Sequence, residues 1–202
     1  TTRAHVELAK FFLDRGADPN ANGPGYTPLH WAAGRWETLH THDYAVPSGE
    51  WSTLVGLPRE QQFDLIKALL AHGANINARA TQLPPRFGYT LSSFITRYAT
   101  GATPFFLAAM SADAELMRFL AAQGANPTIA AGVATTALMA AAGRTLVPGE
   151  SRIPEQDHLE AVKVSLDMGA DINGANGDGW TALHGAAYAG FDIIVQHLAD
   201  RG

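Results

Sequence analysis

Apolar residues return one helical turn apart in five stretches of the chain. Leu8, Ala9, Phe12 and Leu13 form the first set, and Leu65, Ile66, Leu69 and Leu70 the second. Leu116, Met117, Leu120 and Ala121 follow, then Ala161, Val162 and Leu166, then Ile194, Val195, Leu198 and Ala199. Spacing of this kind puts one apolar stripe on each segment and predicts five amphipathic helices that bury that stripe against neighbours. A glycine closes each stretch, at positions 16, 73, 124, 169 and 202. Glycine there suits the left-handed residue that ends a helix. After the first four of these, Asp18, Asn75, Asn126 and Asp171 stand two positions on, where a short polar side chain favours a turn.

The pattern is therefore periodic on a longer scale. Gly16-Ala17-Asp18-Pro19-Asn20 has counterparts in Gly73-Ala74-Asn75-Ile76-Asn77, Gly124-Ala125-Asn126-Pro127-Thr128 and Gly169-Ala170-Asp171-Ile172-Asn173. Each phrase leads to a second one that begins with threonine: Thr27-Pro28-Leu29-His30, Thr103-Pro104-Phe105-Phe106, Thr136-Ala137-Leu138-Met139 and Thr181-Ala182-Leu183-His184. Threonine can cap the free N–H groups of a helix start, and proline just inside that start loses no hydrogen bond and already has the right φ. The alanines that follow allow a short first helix to lie close to its neighbours.

These linked phrases resemble the ankyrin family, whose repeat is about 33 residues with a Thr-Pro-Leu-His signature. The alanine-rich run Gly101-Ala102-Thr103-Pro104-Phe105-Phe106 is similar in flavour to bacterial ankyrin arrays. The resemblance implies a mainly α fold: an ankyrin-repeat α-solenoid with β-hairpin fingers. It also implies that His30 and His184 bond locally to fix their helix starts.

Register locates three departures. From the capping threonine to the closing glycine is 21 positions in Thr103–Gly124 and in Thr181–Gly202, but 46 in Thr27–Gly73 and 33 in Thr136–Gly169. Insertions of 25 and 12 residues are thus expected between paired helices. Gly73 to Thr103 is 30 positions where 11 or 12 is the rule, so 18 extra residues extend one finger. Insertions within repeats map to loops, often on a binding face. The expected layout is one array over 1–202, with a partial first repeat at 1–26 and repeats at about 27–102, 103–135, 136–180 and 181–202. Phe11 and Phe12 in the first helix and Phe191, Ile194 and Val195 in the last are not the polar outer face of a capping repeat. The chain accordingly reads as a segment of a longer protein or a subunit of a larger assembly.

Composition narrows the function. Hydrophobic residues are 47% and charged residues 16%, which is too apolar for a disordered chain. A formal net charge of -5 argues against nucleic-acid binding, which needs a basic surface. No apolar run is long enough to insert in a membrane. The absence of cysteine removes disulfides and thiolate-bound zinc and leaves the compartment open.

Catalytic signatures are absent: there is no Gly-x-Ser-x-Gly elbow, no phosphate loop and no His-Glu-x-x-His helix. No cofactor is expected. Gly174-Ala175-Asn176-Gly177-Asp178-Gly179 is glycine-rich, but its place before a capping threonine makes it a finger. His40-Thr41-His42-Asp43 is the single metal-like cluster, without an obvious fourth ligand, and is expected to be a solvated loop. Trp36, Tyr44 and Trp51 share the first insertion with the acidic Glu37, Asp43 and Glu50. The extended finger has the opposite character. No acidic residue occurs from Arg79 to Ala112, whereas Arg79, Arg86 and Arg97 are interleaved with Phe87, Tyr89, Phe94 and Tyr98. Arginine and aromatics are enriched at interface hot spots, so these seven are the expected partner-binding residues. Alternatively, the aromatics fold back and pack on the array. The expected function is a non-enzymatic scaffold that binds a protein. The rival is an interaction module of a larger enzyme or redox protein whose catalytic part lies outside this chain.

Overall fold

A computed structural model describes residues 5–34, 58–84, 93–146 and 153–202. The five predicted amphipathic segments are helices α1 (Val6–Asp14), α3 (Arg59–Ala71), α6 (Ala114–Ala122), α8 (Glu155–Asp167) and α10 (Asp192–Ala199). The threonine phrases open α2 (Pro28–Ala32), α5 (Pro104–Met110), α7 (Ala137–Ala141) and α9 (Ala182–Ala189). Two further elements belong to the fingers: helix α4 (Ser93–Ala99) and a 3-10 turn, Gly132–Ala134.

All four threonines cap as expected. Thr27, Thr103, Thr136 and Thr181 accept the backbone N–H of His30, Phe106, Met139 and His184 at 3.5, 3.2, 3.2 and 3.4 Å. The short helices α2, α5, α7 and α9 pack on one another in chain order and form one layer. Each also packs on the long helix that follows it, and the long helices form the second layer. Between the layers α5 has all seven residues buried, with Phe105, Phe106, Leu107 and Leu138 among the largest side chains inside. Leu69 and Leu120, which the register makes equivalent, are 1% and 0% exposed.

The two helix pairs with extra residues between them share one local solution. Their first helices are cut to 5 residues and their second helices lengthened to 13, against 7 and 9 in the pair α5–α6. Each long helix starts directly after a proline, Pro58 or Pro154, whose φ of -48° or -58° is already helical. The carbonyls left at the end of the shortened helix still need donors. Gln62 Nε2 donates to Ala32 O at 2.8 Å, and His158 Nδ1 lies 2.8 Å from Ala141 O. Both side chains are buried. The insertions expected between these helices lie largely at residues 35–57 and 147–152, outside the described residues.

The finger positions differ from the β-hairpin expectation, because no strand occurs among the described residues. Local side chains hold the finger tips. Asp18, Asn75, Asn126 and Asp171 each accept the N–H two residues on, at 2.8 to 3.0 Å. Adjacent fingers are then joined by asparagines: Asn20 Nδ2 donates to Gly73 O, while Asn20 Oδ1 and Asn77 Oδ1 accept the N–H of Asn75 and Asn126.

Candidate partner-binding surface

The described residues that flank the expected finger extension, up to 84 and from 93 on, are stitched together and to the preceding finger. Ala80 N–H donates to Ala102 O at 2.9 Å, and Gly101 N–H donates to Ala80 O at 2.6 Å. Thr81 N–H reaches back to Gly25 O at 2.7 Å. Ala80, Leu83, Ala99 and Ala102 are buried, so alanine and leucine fix the base where arginine and aromatics were expected to matter.

Arg79 is exposed and donates through Nη2 to Ala130 O at 3.0 Å. Its guanidinium lies where a side chain on Gly101 would have to stand: a Cβ there would be 2.7 Å from Nη2. Arg97 and Tyr98 sit on α4 and turn onto the stack. Arg97 donates to both oxygens of Asp178, from Nε at 3.1 Å and from Nη2 at 2.6 Å, and Tyr98 Oη donates to Asp178 Oδ2 at 2.9 Å. The hydrogen bonds from Arg97 and Tyr98 hold the Asp178 carboxyl below the usual carboxylate range. Tyr98 is 5% exposed, its ring covering the Arg144 guanidinium at 3.9 Å. On the other side Arg144 lies 4.1 Å from the Trp180 ring. Phe94 has its backbone in α4, but its side chain lies outside what is described. Arg86, Phe87 and Tyr89 lie outside the described residues, as does the cluster His40, His42 and Asp43. Among the described residues no group of three or more His, Asp or Glu could hold a metal ion.

Three residues that the sequence reading passed over complete this site. Asp178 stands in the glycine-rich phrase expected to form a finger. Asn176 Oδ1 accepts the N–H of Asp178 and of Trp180 and so aims both. Arg144 follows an alanine-rich helix, with nothing nearby in sequence to announce that it is buried at 2% exposure.

The histidines at the signature positions are held locally. His30 Nδ1 accepts Thr27 N–H at 3.1 Å, and His184 Nδ1 accepts Thr181 N–H at 3.3 Å, closing a capping box in each case.

Capped short helices, paired long helices and turn-linked fingers recur from one end of the described chain to the other. A family model described as ankyrin repeats (many copies) matches residues 151–196, which cover α8, α9 and the first five residues of α10. Over these residues the chain is similar to ankyrin repeats. The Notch-regulated ankyrin repeat-containing protein of Xenopus tropicalis is 56% identical over 41 residues, 20% of this chain and 36% of that protein. The human protein of that name is 54% identical over 41 residues, with the same shares. Protein B of that name from Danio rerio is 50% identical over 44 residues, 22% of this chain and 40% of the relative. The chain thus spans well under half the length of the curated relatives it matches. Ankyrin repeats mediate protein–protein interaction, and among the described residues no helix is long and apolar enough to cross a membrane.

Proposed function

We propose that this chain is a protein-binding scaffold without catalytic activity of its own. A single ankyrin array over 1–202 holds a protein partner through its fingers, first helices and inserted loops. The partner surface includes the extended finger, with Arg79, Arg86, Phe87, Tyr89, Phe94, Arg97 and Tyr98.

The observation that carries this reading is the division of labour along the finger. Its base and α4 are tied down by alanines, by Arg97 on Asp178 and by Tyr98 on Arg144. The residues between them add Arg86, Phe87 and Tyr89 to a stretch that holds no acidic side chain. A segment held at both ends loses less entropy when a partner closes on it. Arg97 and Tyr98 then contribute chiefly by anchoring, and Arg79, Arg86, Phe87 and Tyr89 by contact. The net charge of -5 still argues against a nucleic acid as the partner.

Photo-crosslinking groups placed at 86 and 89 in the intact protein will identify the partner, and calorimetry will then measure its affinity. Loss of a hot spot costs at least about 2 kcal/mol, so Arg86→Ala or Tyr89→Ala weakens binding about thirtyfold. Unchanged affinity in both variants overturns the assignment of this surface.

A further inference from the structure

A repeat stack holds together through neighbours, each unit touching only the one before and the one after. The finger asparagines obey that rule, joining Asn20 to Gly73 and Asn75, and Asn77 to Asn126. Helix α4 does not. Arg97 lies in the finger opened by Gly73, and Asp178 lies in the one opened by Gly169, 81 positions on. The finger opened by Gly124 is passed over and gripped on the way.

That intervening finger is shaped by the grip. Gly132 lies so close beneath the Arg97 carbonyl that a Cβ there would collide with it. Val133 and Ala134 both take positive φ, 48° and 58°, a conformation that a β-branched residue keeps only when its surroundings hold it. Val133 O accepts Gly177 N–H at 2.7 Å, which joins the passed-over finger to the one carrying Asp178. Beneath them the Arg144 guanidinium lies between the rings of Tyr98 and Trp180, with Tyr188 of α9 6.0 Å away. One exposed ion pair would contribute little. Here Asp178 accepts two bonds from Arg97 and one from Tyr98, and the Tyr98 ring is itself buried.

We infer that α4 is a conformational clamp: Asp178 and Arg144 hold it across three fingers, so that the extended finger and the helix pair α9–α10 open together. A ligand that prefers one state at either place shifts the other, and by linkage the effect is reciprocal. The clamp stands on these contacts alone and does not depend on the extended finger being a partner site.

Native-state hydrogen exchange on the whole chain tests it without any ligand. Asp178→Asn keeps the shape and removes the charge, and it should speed exchange at residues 96–102 by about threefold to tenfold. Arg97→Gln, which changes nothing in the last helix pair, should speed exchange at residues 176–190 by a similar factor. Tyr98→Phe leaves the ring on Arg144 and loses one bond to Asp178, and its effect should be smaller but fall on both segments. Combining Arg97→Gln with Asp178→Asn should speed exchange little beyond either single variant, because both break the same contact. Exchange that rises only beside each substituted residue, or effects of the two substitutions that simply add, overturns the clamp.

Discussion

His30 and His184 stand at the same step of the same motif and live in different surroundings. On the near side they are alike, with the threonine hydroxyl 2.8 and 2.9 Å from Nδ1 and the capping box closed in both. On the far side they part. His30 Nε2 lies 3.0 Å from the carbonyl oxygens of Ala78 and of Ala102, one on each side of the next finger's base, and the residue is 0% exposed. The His184 ring is exposed and meets the edge of Trp180 at 5.8 Å. The preceding leucines tell the same story: Leu29 is 0% exposed and Leu183 39%. Local sequence fixes the helix start, whereas the energetic weight of the motif comes from what stacks on it.

The comparison can be broken most forcefully in the core. Leu138 occupies the same step as Leu183 but is 1% exposed. Leu138→Ala should therefore cost about 2–5 kcal/mol, as should Leu69→Ala and Leu120→Ala, because each leaves a cavity that its neighbours cannot fill. Leu183→Ala leaves no enclosed cavity and should cost less than about 1 kcal/mol. Chemical denaturation of the four variants checks this, and equal losses at 138 and 183 would show that stacking does not set the weight.

Acid sharpens it next. Burial lowers the His30 pKa from the ordinary 6.5 to about 4, with the bonds to the Ala102 and Ala78 carbonyls pulling weakly the other way. Between those values the unfolded chain binds a proton at this position that the folded chain refuses. The stabilisation tied to neutral His30 is thus complete above about pH 6.5 and lost as pH falls toward 4, to a total of about 3 kcal/mol. His30→Gln should be less stable at neutral pH yet flatter across that window. Denaturation midpoints at several pH values read both effects, and an unchanged slope would mean the ring is not held neutral by burial.

Elements carried by local chemistry were legible in the sequence. The four capping threonines are where a polar side chain precedes an alanine-rich run, and Gly16, Gly73, Gly124 and Gly169 take φ between 85° and 94° as helix-ending glycines should. Long-range choices were not. Nothing near Gln62 or His158 says that both reach back to the last carbonyls of the preceding short helix. Arg97 and Tyr98 were legible as an arginine–aromatic pair, but their partner Asp178 lies in a glycine-rich turn 80 residues away. The expected hairpins have no strand among the described residues, where Asp18, Asn75, Asn126 and Asp171 each accept the N–H two residues on.

The smallest effect tests the comparison at its weak end. His184→Ala removes the ring that accepts Thr181 N–H, while Thr181 Oγ1 still accepts the backbone N–H of residue 184. Half of the capping box survives, and water can reach the freed N–H because the site is exposed. The expected cost is about 1 kcal/mol or less. His30→Ala, at the same step, also strips a donor from two carbonyls at a buried site, and leaving such groups unsatisfied costs about 1–3 kcal/mol. Thermal unfolding of the two variants side by side should therefore rank His30→Ala well below His184→Ala. Were His184→Ala the more damaging, its ring would hold something other than the helix start, and Trp180 beside it would be the residue to substitute next.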